Sequence, residues 1–299
     1  MNSDVILFCG ARLPTDTRRV DMVNVVPPDL TPLAELHELR ELELSHTNPH
    51  RLSVGLPLDL SPLRSLRHLA TVVLPKYRIT DVEPLRNLTA LHTLDLSGTA
   101  ISDLSPLAGL RELRRLRVRS TAVHSLAPLA ALTRLSHLDV AHTRVNDLTP
   151  LLRLDGLEEL CIEGTAVSDL APLAALPRLA SLSVAQTPIA SLAGLIDLAW
   201  FQSTERLDLN GTRISDLSGI SKASRVQELL LFNTPVRDLG PLADLSALRA
   251  LRLDNTPVRD LSPLLGLSNL ARLDLAGTAV SEEQRALVHR ALPRVEIVG

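Results

Sequence analysis

Arg117, Asp139 and Cys161 stand 22 residues apart, and so do Arg115, His137 and Glu159. A third set at the same interval is Arg119, Ala141 and Glu163, with His142 following Ala141. A thiol, a carboxylate and an imidazole are the donors of a metal or thiol site, whereas guanidinium groups beside carboxylates are the currency of a binding patch. Flanking arginines repel a cation, and mixed donors in a flat row do not close a tetrahedron, so the patch is the better reading. Either chemistry requires that residues 22 apart lie side by side.

The elements that would place them so are written in the same interval. Thr99, Thr121, Thr143, Thr165 and Thr187 each follow an apolar pair: Leu94/Leu96, Leu116/Val118, Leu138/Val140, Leu160/Ile162 and Leu182/Val184. The cycle resumes after a three-residue slip at Leu207/Leu209, and continues through Leu229/Leu231, Leu251/Leu253 and Leu273/Leu275. Backwards it reaches Val72/Leu74, Leu42/Leu44 and Val20/Met22; forwards it ends at Val295/Ile297, thirteen coils in all. A unit this short has no second layer against which to bury its apolar side chains, so it must stack on copies of itself. Alternation makes each apolar pair a short strand with its anchors inward, and stacked strands form one parallel sheet with outward rows spaced ~4.8 Å apart. The segments Asp103 to Leu107, Asp169 to Leu173 and Asp260 to Leu264 are too short and too proline-marked for long helices. Tight or 3₁₀ turns on the opposite face are expected.

These residues resemble the leucine-rich repeat proteins, in particular the short 22-residue bacterial type of the internalins, over roughly residues 20 to 299. The resemblance implies an α/β solenoid: a right-handed superhelix with a parallel β-sheet on the concave face and short turns or 3₁₀ segments on the convex face. The position after the strand, usually Asn in that family, is mostly Thr here. A hydroxyl replaces only part of an amide ladder, and these threonines are expected to be structural bonding rather than active-site groups. The family also begins with a helical cap, which is not what Asp4 to Cys9 suggests. That stretch reads as a strand covering the first coil, followed by a charged loop from Ala11 to Arg19.

The domain organisation expected is an N-terminal cap over 1–19, a solenoid of about twelve coils over 20–280, and a helix-capped coil over 281–299. Ser281-Glu282-Glu283-Gln284 has the form of a capping box opening a helix of two to three turns, after which Val295 to Ile297 closes the sheet. Two insertions break the cycle. One, eight residues long within Asn48 to Leu58, should protrude as a loop. The other, of three residues, lies around Ala199-Trp200-Phe201-Gln202 and holds the only Trp, expected to plug a widened coil.

With 45% hydrophobic but only 2% aromatic residues, the core must be filled by Leu, Val, Ile and Ala. A formal charge of −3 argues against general affinity for nucleic acid or anionic membrane. No P-loop, dinucleotide, nucleophile-elbow, HExxH or paired CxxC motif occurs, so no cofactor, metal, catalytic residue or small-molecule substrate is expected. Val5 to Cys9 is too short and wrongly flanked for a signal-peptide core, which makes the cytoplasm the expected compartment, although non-Sec export leaves no mark in a sequence. Cys9 and Cys161 fall too far apart in the stack to bond.

What the cycle leaves open is its outward positions. Three guanidiniums on one strand, at Arg115, Arg117 and Arg119, call for acids, which Asp139, Glu159 and Glu163 partly supply from the neighbouring strands, where His137 and Cys161 complete the patch. Leu230 and Phe232 place two large apolar side chains outward together, which water disfavours. These ten residues are the candidate contacts of a non-catalytic scaffold that binds a protein partner. Alternatives are a recognition or sensor subunit of a multi-protein enzyme or defence complex, and a secreted effector or adhesin contacting host protein.

Overall fold

The computed structural model describes residues 5–25, 29–45 and 57–299. Two compact units divide the chain, one up to Cys161 with Ala175–Arg178, the other Ile162–Ala174 with Leu179–Gly299. In the first unit the strands run in parallel register, Val20 beside Leu42, Val72, Leu94, Leu116, Leu138 and Leu160 in turn. In the second, a five-stranded parallel sheet carries Leu207, Leu229, Leu251, Leu273 and Ile297 in one row. Residues one cycle apart are therefore neighbours, as the interval requires. The core of each unit lies behind these rows, with Leu94, Leu96, Leu116 and Val118 fully buried in the first and Leu229, Leu231 and Leu253 in the second.

Most strands are only three residues long, as in Thr93–Asp95 or Arg115–Arg117. The chain leaves such a strand through a left-handed residue directly before the threonine position: Gly98 (φ +70°), Ser120 (+56°), His142 (+54°), Gly211 (+65°) and Asn255 (+55°). That conformation turns the backbone out of the sheet at a steric cost to any side chain, which Gly and Asn minimise.

The threonine that follows is buried, and its hydroxyl donates to the carbonyl three residues back: Thr99 Oγ1 to Leu96 O at 2.7 Å, Thr143 to Val140 O at 2.6 Å, Thr234 to Leu231 O at 2.7 Å. The threonine column is thus structural bonding, but it is not a ladder between coils. A single donor satisfies a carbonyl of its own turn, and the coils are joined instead by backbone bonds such as Val118 N to Asp139 O, 2.9 Å.

The opposite face repeats one further device. Asp103 Oδ1 accepts the amide of Ser105 at 2.8 Å, and Asp147, Asp216 and Asp260 accept those of Thr149, Ser218 and Ser262 at the same distance. This bond holds the chain in a turn from which Pro106, Pro150 or Pro263 enters a short 3₁₀ helix with no amide to leave unpaired. The hydroxyl and amide of Ser105 hold the Asp103 carboxyl below its ordinary value, and equivalent pairs do so at Asp147, Asp216 and Asp260.

The ends differ in part from expectation. Val5–Phe8 is a strand with Ile6 and Phe8 buried, but Ala11–Pro14 is a second strand paired to it antiparallel rather than a loop. Left-handed Cys9 and Gly10 make the reversal between them. The C-terminal helix spans Glu282–Ala291, and Ser281 Oγ accepts the Gln284 amide as a cap should. The reciprocal half of the capping box is absent: Gln284 Oε1 accepts the amide of Leu261 in the preceding coil at 2.9 Å. Because the helix lengthens the final coil, Ile297 rather than Val295 falls beside Leu273, and Glu296 aligns with Arg272. Most of the first insertion, residues 48–56, lies outside the described residues. In the second, Ala199–Ser203 is one turn of α-helix with Trp200 and Phe201 buried edge to face, ring centroids 6.1 Å apart, the expected plug.

Candidate functional site

On the first unit's sheet, Asp95, Arg117, Asp139 and Cys161 lie in one row, with Thr93, Arg115, His137 and Glu159 in the row beside it. Arg115 is exposed and makes no ion pair among the described residues, while Arg117 reaches Asp95 only at 3.9 Å. Asp95 and Asp139 are partly spent on the fold, accepting the amides of Ser97 at 2.9 Å and Ala141 at 3.0 Å. Ala141 is fully buried and presents nothing outward. Arg119 is half-buried, and Glu163 follows Ile162 in the second unit.

His137 is held on both sides: Nδ1 lies 2.8 Å from Ser136 Oγ and Nε2 3.4 Å from Glu159 Oε1. Ser136 Oγ–H donates to the Arg114 carbonyl at 3.1 Å, so its proton points away from the imidazole. A nucleophilic serine needs the opposite arrangement, in which the hydroxyl donates to the base. The set orients a ring and does not activate a nucleophile. With its proton on the Arg114 carbonyl, Ser136 Oγ can accept from Nδ1–H, the tautomer that leaves Nε2 facing Glu159. Among the described residues no three His, Cys, Asp or Glu side chains come together to hold a metal ion, and no helix is long and apolar enough to cross a membrane.

The second unit's sheet carries a different constellation. Asp208, Leu230, Arg252 and Asp274 form one row; Arg206, Glu228, Ala250 and Arg272 form the next. Leu230 points toward this face yet is only 7% exposed, so the expectation of an exposed leucine fails. Phe232 is half-buried beneath Arg252, whose Cζ sits 5.3 Å from the ring centroid. Asn210 Oδ1 accepts the Phe232 amide at 2.7 Å and fixes that turn.

Residue by residue reasoning missed Arg206, Glu228, Asp254 and Arg272, although a signal was present. Arginine recurs two residues before aspartate at 206/208, 252/254 and 272/274, the spacing that puts both on one face of a strand. Each pair closes: Arg206 Nη2 to Asp208 at 3.5 Å, Arg252 Nε to Asp254 at 2.8 Å, Arg272 Nε to Asp274 at 3.0 Å. Arg206 Nη1 also bonds Glu228 on the adjacent strand at 2.7 Å. The hydrogen bond that Arg252 donates to Asp254 raises the Arg252 pKa further.

Comparison with solved structures settles the architecture. An internalin (InlF) from Listeria monocytogenes is 24% identical and superposes with a TM-score of 0.77 over 97% of this chain and 89% of its own. The fold is a leucine-rich repeat. A leucine-rich repeat protein from Leptospira interrogans matches equally, TM-score 0.77 at 22% identity, over 96% of this chain and 75% of its own. A plant peptide hormone receptor, RGFR1 in complex with RGF2, matches at TM-score 0.66 and 14% identity, over 89% of this chain and 52% of that one. No family model and no curated protein matches the sequence.

Proposed function

We propose that this leucine-rich repeat chain is a recognition scaffold that binds a protein partner through its outward sheet positions and catalyses no reaction itself. The observation that carries the proposal is where residue type is left free. Anchors, left-handed corners, buried threonines and turn aspartates repeat from coil to coil because each closes a bond or fills the core. The outward positions do not repeat: Thr93, Arg115, His137 and Glu159 share one row, and Asp208, Leu230, Arg252 and Asp274 another. A rigid sheet with independently variable positions suits a large partner surface. Support also comes from the similar plant peptide hormone receptor, solved in complex with RGF2.

The test is affinity capture from the source cell with the full chain, comparing wild type, Arg117→Glu, Phe232→Glu and, as a control off the strands, Arg178→Glu, an exposed turn residue between Ala171–Ala175 and the strand Ser181–Ser183. A partner recovered by wild type and the control but lost with either sheet-face variant, at unchanged circular dichroism, supports the assignment. Retention of the same partner by both sheet-face variants overturns it.

A further inference from the structure

We infer that the hollow on the second unit's sheet takes an acidic, apolar-tipped segment of a protein partner, its apolar side chain over Leu230 and its carboxylate on Arg252 and Arg272. This rests on the sheet face being the recognition surface and names what that surface prefers at one spot.

The hollow follows from one small residue. Ala250 stands in register between Glu228 and Arg272, a methyl group flanked by long side chains. The gap holds about 370 Å³, with Leu230 and Ala250 along its base and Arg206, Arg252 and Arg272 among its walls. That volume admits one leucine- or phenylalanine-sized side chain from a partner. Leu230 contributes an apolar base, and the Phe232 ring lies under the Arg252 guanidinium. An apolar centre ringed by paired charges is the arrangement that concentrates binding energy at interfaces.

Formal charge alone does not say what the rim attracts, because the arginines have acidic partners. Accessibility does. Asp254 and Asp274 side chains are only 14% and 15% exposed, whereas Arg252 and Arg272 are 46% and 51% exposed. Each carboxylate takes an arginine Nε and is turned inward. The Nη atoms of Arg252 and Arg272 have no hydrogen-bond acceptor among the described residues. An approaching molecule therefore meets the unspent Nη donors of the planar Arg252 and Arg272 forks before Asp254 or Asp274, and the more open carboxylate of the lining, Glu228 at 39% exposure, is engaged by Arg206. Such forks match a carboxylate bidentately, and the acids behind them fix each fork so that little side-chain entropy is lost on binding.

The experiment pans a random-peptide phage library against the immobilised full chain, then measures synthetic versions of the enriched peptides on wild type and variants. Enriched peptides should carry Asp or Glu within a few residues of Leu, Phe or Met. Arg252→Gln with Arg272→Gln should weaken them by about tenfold per guanidinium. Ala250→Leu, which fills the hollow and keeps every charge, should weaken them at least tenfold, and circular dichroism confirms that each variant is folded. No enrichment, enrichment of basic peptides, or acidic peptides indifferent to these variants overturns the inference. Peptides weakened by Arg117→Glu but not at Arg252 and Arg272 sink it while leaving the recognition surface standing. Peptides indifferent to every sheet-face substitution sink both. A single-stranded oligouridylate that binds through Arg252 and Arg272 and is not displaced by acidic peptides would also overturn it, assigning the forks to phosphate.

Discussion

Thr121 Oγ1 donates to Val118 O at 2.7 Å inside the core, and the value of that bond can be measured in isolation. Thr121→Val keeps the shape and removes the donor, so an accepting carbonyl loses its partner where water cannot replace it. The expected loss is about 1–3 kcal/mol, read as a lower urea midpoint at unchanged slope, while Thr121→Ser retains most of the stability. Gly211 offers a second test at the same scale. At φ +65° a built Cβ meets Gln186 atoms no nearer than 3.4 Å, so space is not the constraint. Gly211→Ala should still cost about 1–2 kcal/mol from the left-handed backbone alone, and Gly211→Asn should recover part of it. Thr121 was legible as a structural position from its recurrence, but its acceptor was not. A hydroxyl can bond to its own turn or to the next coil, and only the backbone path, set by the left-handed residue before it, decides.

At the scale of the element, the turn-face carboxylates tie stability to pH. Asp103, Asp147, Asp216 and Asp260 are held low by the hydroxyl and then the amide of the residue two on, and Asp59 by the amide and then the hydroxyl of Ser61. A folded-state value below the unfolded one means stability that is fully present above the unfolded carboxylate range, near pH ~4, and lost as pH falls through the folded values. Melting temperature should be level from neutral pH down to about pH 5 and fall below about pH 4. Replacing these five aspartates with Asn, which keeps the accepting oxygen but cannot titrate, should flatten that fall. The C-terminal helix gives a further check: Ser281→Ala should cost about 1 kcal/mol as a lost cap. Proline spacing made the short 3₁₀ turns legible in the sequence. The second strand at Ala11–Pro14 was not, because a four-residue hairpin arm flanked by charges carries too little alternation to separate it from a loop.

At the scale of the whole molecule, the 22-residue interval foretold the parallel rows, since a repeat that cannot fold alone has few ways to stack. The candidate site was legible only as rows. Arg115, His137 and Glu159 are brought together as the interval demands, and Arg252 beside Leu230 likewise. The burial of Leu230 depends on the paths of the side chains around it, which a sequence does not state. The plug at Trp200 and Phe201 belongs to this scale too, because it compensates for three extra residues in one coil. Phe201 is fully buried, and Phe201→Ala should cost about 3–5 kcal/mol, seen as an early unfolding transition in denaturant.

The threonine and aspartate bonds share a property that bears on how such a chain lengthens and shortens over generations. Both close within the turn that makes them, Thr143 on Val140 and Asp147 on Thr149, so a whole turn can be cut out without orphaning the threonine or the aspartate of any other turn. Excision of residues 121–142 would join Ser120 to Thr143, another left-handed residue to another buried threonine. The shortened gene should encode a folded protein with a proportionally smaller denaturant slope. Unequal crossing-over between such tandem segments would then yield foldable products, leaving natural selection to act on whatever the strands display.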